Sequence, residues 1–382
     1  MVLTSSSPAP VTVPTSPAPT SAPPVTRAPS RDRFVDGLRA LAILGVVIGH
    51  WLVGALVETD GGLRIDSPLR YLPWLHVATW LLQMLALFFL VGGYTSANGL
   101  RRARERGVPD AMWIRRRLWR LGRPVLAASA MLALALPLAA VSGVAPGTLR
   151  TTVVLFLQPL WFMGVYAVIT VLTPYLLRAD ARWGLGVPLV SVGVVAAVDL
   201  ARFGPGGDAV PGWFGYLTVL PAWAFGFQLG VAWARGRLDQ RAARWLLTLG
   251  AAAFVTLLVV LDYPVSITSV PGATRSNSNP PSLMVPALAA IQIGAAMLLR
   301  PRIEHLLRRR AVWLGVAALN LAAMGIFCWH QVALVIVSDL ASRTDLATSP
   351  EHVSWLVTRL TWYPILALVL AGLVMLTRRW ER

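Results

Sequence analysis

Arg33-Phe-Val-Asp36-Gly-Leu-Arg39-Ala-Leu-Ala-Ile-Leu-Gly45-Val-Val-Ile-Gly49-His50 passes from a charged approach into an apolar run that contains a histidine. Beyond His50 the apolar character continues to Val57 before the next charge, Glu58. A run of ~20 apolar residues is what a helix needs to cross ~30 Å of hydrocarbon. Lipid leaves backbone groups no water to bond, so a span of this length has to be helical. His50 follows Arg39 by eleven positions; at 3.6 residues per turn these return almost to the same face, with a rise of ~16 Å. The two side chains therefore share one stripe, with His50 near the middle of the bilayer. Asp36, three residues before Arg39, is placed to pair with it or to hold its guanidinium.

The same reading extends outward along the chain. The 382 residues are 56% hydrophobic with mean hydropathy +0.63 and only 13% charged. Roughly a quarter is usual for charged residues in soluble domains, and one soluble core cannot absorb this much apolar surface. Apolar runs between charges predict ten helices, over 38–57, 74–97, 124–141, 152–177, 184–201, 211–234, 244–261, 282–299, 311–337 and 356–377. The runs are too long and continuous for barrel strands. The expected fold is all-α, a polytopic membrane protein of about ten transmembrane helices. Residues 1–30 form a Pro/Ser/Thr/Ala tract with no charged start ahead of an apolar core, which predicts a disordered tail and no signal peptide. The membrane domain is then 31–382.

All 34 basic residues are arginines. The approach through Arg39, the connections at 101–123, 178–182, 235–244 and 300–310, and the end at 378–382 hold 27 of them; the alternate connections hold six, and Arg359 lies within a span. By the positive-inside bias both termini are cytoplasmic, in keeping with an even helix count. Arginines spread between hydrophobic spans do not form one soluble basic face, so nucleic acid is not the expected partner. Membrane lipid is. The lone Cys328 excludes an intramolecular disulfide framework, and no Cys/His spacing suggests a metal site.

A histidine inside a membrane span is either a working group or a packing residue. Neutral imidazole can accept a proton from an alcohol, as a general base must. His50 also sits beside Gly45-x-x-x-Gly49, a close-contact motif that suits a histidine bonded to a neighbouring helix. Both readings stay open from spacing alone. His330 falls toward the external side with Arg359 nearby, either as part of an acceptor-side constellation or as an interfacial histidine satisfied by its surroundings. His76, His305 and His352 lie near span ends or in connections.

Four further stretches join the first. They are Phe88-Phe-Leu-Val-Gly92-Gly93-Tyr94, the arginine-rich Trp113-Ile-Arg115-Arg-Arg117-Leu-Trp-Arg120-Leu-Gly-Arg123, Pro159-Leu-Trp161-Phe162, and Ile326-Phe-Cys-Trp329-His330-Gln331. Together with Arg33–Ala42 and the Arg39-x(10)-His50 spacing they resemble the acyltransferase-3 family, a bacterial group of membrane O-acyltransferases. The resemblance covers essentially residues 33–377. It departs at Gly92, where the family usually carries serine.

The resemblance implies an enzyme that moves an acyl group, acetyl by family default, from cytoplasmic acyl-CoA to a hydroxyl of a glycan, glycolipid or glycosylated metabolite of the cell envelope. It implies His50 as base or transient acyl carrier, with Arg39 and Asp36 beside it. Arg117, Arg120, Gly93 and Tyr94 are implied at the acyl-CoA site, and His330 and Trp161 on the acceptor side. Forked guanidiniums suit the phosphates of the donor. Acyl-CoA is a substrate in this reading, and no tightly bound cofactor or metal is expected. The location implied is the inner or plasma membrane, crossed many times. The chain lacks a Gly-x-Ser-x-Gly elbow, a Gly-x(4)-Gly-Lys phosphate loop and a His-Glu-x-x-His pair, so serine hydrolase, ATPase and zincin readings fall. The rivals are a transporter or anion-conducting pore with Arg39 and His50 along its path, and a membrane scaffold docking through its Pro-rich tail.

Overall fold

The computed structural model describes residues 32–343 and 349–381, with side chains given through Thr377 apart from that of Asp208. The tail reading on 1–30 lies outside the described residues, as do the side chains of the arginine-bearing end at 378–382. Among the described residues, nine helices are long and apolar enough to cross a membrane, and a helix pair bent by 61° makes a tenth.

The first helix, α1 (Arg33–Val53), carries Asp36 in its first turn, where a carboxylate complements the positive end of the helix dipole. It ends four residues earlier than the apolar run predicts. Gly54 still donates to the carbonyl of His50 at 2.8 Å, and then the chain leaves the helix. Residues Ala55–Thr59 (β1) pair antiparallel with Gly62–Asp66 (β2) around Asp60-Gly61. Asp-Gly is a two-residue hairpin signal, strong enough to override the hydrophobic run. Gly62 adopts φ +112°, and an added Cβ would meet Thr148 at 2.7 Å.

The second predicted span is broken. A 3-10 turn (Pro73–Val77) leads into α2 (Ala78–Leu82), and the chain bends at Gln83–Met84 before α3 (Leu85–Glu105). A break inside a membrane frees carbonyls that need partners. Gln292 supplies them, its side-chain amide donating to the carbonyls of Trp80 at 3.0 Å and Gln83 at 2.9 Å.

Helix α4 (Asp110–Val141) begins 14 residues before the predicted 124–141, continuing through the arginine-rich connection. The predicted 152–177 span divides into α5 (Pro146–Leu157) and α6 (Leu160–Trp183) at Gln158–Pro159, where proline removes a backbone donor. Helix α5 rests on the hairpin: Leu63 N–H donates to Thr148 Oγ1 at 3.0 Å, and the Thr151 hydroxyl donates to the Leu63 carbonyl at 2.7 Å.

There follow α7 (Gly186–Phe203), α8 (Val219–Ala234), α9 (Gln240–Val259), α10 (Met284–Leu298), the short bent α11 (Arg300–Leu306), α12 (Arg310–Ser342) and α13 (Val353–Glu381). Helix α9 is capped by Asp239, whose Oδ1 accepts from Ala242 N–H at 2.7 Å. The closest pairings are α3 with α8, α9 with α10 and α12 with α13, while α1 lies against both α12 and α3. Glycines permit the α3–α8 approach: a Cβ on Gly93 would overlap the Phe227 carbonyl, and one on Gly230 that of Leu90.

Arginine-bearing connections gather at one end of the bundle. There Arg33 donates to the Leu307 carbonyl at 3.3 Å, and buried Asp180 of α6 pairs with Arg235 at 2.7 Å and Arg237 at 2.9 Å just beyond α8. The hairpin, α5 and the 260–283 connection occupy the opposite end. Large apolar side chains face outward along the helices between, such as Leu134, Leu189, Leu321 and Leu368, each about two-thirds or more exposed. A soluble domain seldom leaves such a surface uncovered.

Candidate active site

A cavity of about 580 Å³ opens at the end opposite the arginines. Both helix breaks line it, through Gln83 and through Gln158–Pro159, as do hairpin residues and the 268–281 stretch. The sides are largely aliphatic. His50 reaches it from the last turn of α1, and Phe162 and Val165 of α6 and Phe327 of α12 line it as well, Val165 and Phe327 lying furthest along their helices toward the arginine-rich end.

His50 is paired. Its Nδ1 lies 2.8 Å from Nε2 of His330 on α12, with the two ring planes 14° apart. His330 is fully buried, and its Nδ1 lies 3.1 Å from the carbonyl of Ile326 and 2.9 Å from that of Phe327. A carbonyl oxygen only accepts, so His330 Nδ1 carries the hydrogen. In the neutral ring its Nε2 is then an acceptor, and His50 Nδ1 must donate to it. The second nitrogen of His50, Nε2, is left with a free lone pair. One backbone turn of α12 thus sets the tautomers of both rings.

The pair is held from both sides. Trp51 Nε1 donates to the His330 carbonyl at 2.9 Å, and the Tyr363 hydroxyl donates to the Ile48 carbonyl at 3.2 Å. These contacts tie α1 to α12 and α13 immediately beside His50. Gln331, next to His330, lines the cavity with a buried side-chain carbonyl that lacks a partner.

The other candidates fall at several places. Arg39 lies about three turns below His50 toward the arginine-rich end, its Nη1 3.7 Å from Asp36 Oδ1, and it does not line the cavity. Asp36 is buried and its backbone carbonyl accepts from Asn320 Nδ2 at 2.9 Å. Arg117 turns inward, donating to the Tyr166 hydroxyl at 2.9 Å and to Thr95 Oγ1 at 3.3 Å, with Trp113 5.4 Å from its guanidinium. Arg120 stays exposed, with a long contact of 3.4 Å to the Arg116 carbonyl, so the structure does not bring it to Arg117's partners. Gly93 sits in the α3–α8 contact, and the Tyr94 ring packs 4.1 Å from that of Trp233. Trp161 is 45% exposed and lines the cavity. Where the family motif has serine, the Tyr166 ring fills the space: a Cβ on Gly92 would lie 2.7 Å from it.

Tyr166 is the residue the sequence reading missed. Its signal was faint: it follows Phe162 by one helical turn, so the two share a face. Ring contacts run from Phe327 to Phe162 at 5.7 Å, from Phe162 to Phe88 at 4.9 Å and from Phe88 to Tyr166 at 5.6 Å, ending at Arg117. An aromatic wall therefore separates the His50 cavity from the arginine-rich end.

A broken-helix bundle with an outward apolar surface, and a cavity that His50 lines with His330 buried behind it, defines a polytopic all-α membrane protein. Residues 32–379 match the acyltransferase-3 family model, described as an acyltransferase domain, and the chain belongs to that family. It is an acyltransferase. No curated protein and no solved structure matches it.

Proposed function

We propose that this acyltransferase takes an acyl group, acetyl in the first instance, from acyl-CoA at the arginine-rich end and delivers it to a hydroxyl of a glycan, glycolipid or glycosylated metabolite in the opposite cavity. The positive-inside bias makes the arginine-rich end cytoplasmic, where acyl-CoA is found, in the inner or plasma membrane. The observation that carries the reading is the His50–His330 pair at 2.8 Å, with His50 lining the cavity and Nε2 free to take a proton.

His50 acts as general base. The acceptor hydroxyl gives its proton to Nε2, its oxygen attacks the thioester carbonyl, and the carbon–sulfur bond breaks. His50 then returns the proton to the departing thiolate, so that a free thiol and an acyl ester are the products. His330 accepts the Nδ1 hydrogen throughout and steadies the imidazolium while it exists. A histidine oriented by a second acceptor is the arrangement general bases use when they act on alcohols. The cavity's aliphatic sides keep water from the thioester, which suppresses hydrolysis.

Arg117, with Arg120 at the surface beside it, supplies cations for the donor's phosphates, and the acyl arm enters past the aromatic wall that Phe88, Phe162 and Tyr166 form, displacing a ring as it passes. Arg39 and Asp36, lower on α1, shape the approach from the same end. Gly93 and Tyr94 hold α3 against α8 next to that route, and Trp161 offers a ring face to the acceptor.

The test is transfer of radiolabelled acetyl from acetyl-CoA to an envelope extract by purified protein in lipid discs. Wild type labels the extract and His50→Ala does not, at equal amounts of inserted protein. Retained transfer by His50→Ala rejects the role of His50, and ion or solute flux without transfer by the wild type favours the pore.

A further inference from the structure

The charge of the acceptor is set by the cavity that must hold it. Among the described residues lining it there is no arginine. Its one carboxylate, Asp66, is 5% exposed and already engaged: Oδ1 accepts from Ser67 N–H at 2.8 Å and Oδ2 from the Tyr71 hydroxyl at 3.0 Å. Besides His50, neutral at rest, the other polar groups are chiefly amides and hydroxyls, including Gln83, Gln158, Gln331 and Asn279. Around His50 the lining is aliphatic, with Val46, Val53, Leu85 and Leu334. At the mouth, Trp161 and Tyr216 stand 45% and 56% exposed.

An anion entering here would lose its hydration with no cation to replace it, and Asp66 would repel it; burying an unpaired charge costs far more than burying a hydroxyl. A small, fully hydroxylated sugar would leave the aliphatic lining uncovered. The volume, about 580 Å³, falls within the ~300–1,000 Å³ that accommodates drug-sized ligands. We infer that the acceptor is an uncharged alcohol with a substantial apolar body, such as a neutral sugar carried on an alkyl or aromatic aglycone, and that acidic sugars and sugar phosphates are excluded. This rests on acyl transfer at His50. The reaction is the one already balanced: acceptor oxygen to acyl carbon forms, carbon to sulfur breaks, and the acceptor proton passes through His50 to the thiol.

The probes are p-nitrophenyl glycosides of the common neutral hexoses and deoxyhexoses, the matching glucuronide and galacturonide, and the free hexoses. Binding to full-length protein in lipid discs is read by quenching of tryptophan fluorescence, and acetyl transfer from acetyl-CoA by mass spectrometry. At least one neutral glycoside is expected to bind tenfold or more tightly than the uronides and than its own free sugar. Ile65→Arg, at an exposed cavity-lining position of β2, should narrow the glycoside-to-uronide ratio by several fold.

Uronides binding as well as neutral glycosides, free sugars binding as well as either, or no probe binding at all would overturn the inference. So would an unchanged ratio in Ile65→Arg. The expected binding pattern with no acetyl transfer from acetyl-CoA to any probe would overturn acyl transfer at His50 alone and leave the assignment of the cavity standing.

Discussion

The protonation of His50 depends on a carbonyl that is not its neighbour. His330 passes on a constraint that begins at the Ile326 and Phe327 carbonyls, and removing it leaves His50 free to present either nitrogen. His330→Ala should lower kcat about 10²-fold, the low end of what a positioned base contributes, with KM for acyl-CoA unchanged. His330→Gln offers a side-chain oxygen to the same Nδ1 hydrogen and should recover part of the loss in the same steady-state assay. Equal loss in both variants, or a rise in KM alone, would assign His330 to packing. The sequence singled out His50 as a candidate through its spacing from Arg39 and showed His330 only as one residue of a motif. It could not join them, because 280 positions separate the two and nothing local records their contact. Tyr166 was less legible still, since its place is defined by the missing side chain at Gly92 on another helix.

At the scale of elements, hydropathy located the spans and missed their interruptions. An apolar window averages over Gln83–Met84 and Gln158–Pro159, yet those breaks open the cavity, and the donors that offset the first come from Gln292 on α10. The hairpin was missed for the same reason, its first strand being apolar enough to pass for the end of α1. The α3–α8 contact makes a sharper prediction. Gly93→Ala places a methyl against a backbone carbonyl that has nowhere to retreat, and should lower the thermal midpoint of the detergent-solubilised protein by a cost of about 1–3 kcal/mol, the usual range for overpacking. Exposed Gly315, with nothing near its Cβ, should tolerate alanine in the same melt. The aromatic wall makes another. Phe162→Ala should raise acetyl-CoA hydrolysis measured without acceptor several fold, because on the proposed route the ring, packed against Phe327 and Phe88, stands between the thioester and the open cavity. Unchanged hydrolysis would mean that the donor reaches His50 by another route.

For the whole molecule, the arginine alternation and the observed bundle agree in sending charged connections to one end, and sidedness follows from the positive-inside bias. The single native Cys328 is buried, so introduced cysteines report without background. In intact cells an impermeant maleimide should label Ala273→Cys, in the connection before α10, while Arg106→Cys, between α3 and α4, should label only after permeabilisation. The reverse pattern would invert the proposed direction of acyl transfer. The sequence by itself determined that this chain is a helical membrane protein, which end carries its cations, and that His50 lies inside a span. Those properties follow from solvent: each apolar run must find lipid and each charge must find water, whatever the neighbouring helices do. Only the tertiary structure decided where the cavity lies, which nitrogen of His50 is free, and what bars the way from Arg117. Each of these is a contact between helices distant in the chain, and packing alone chooses which distant helices meet.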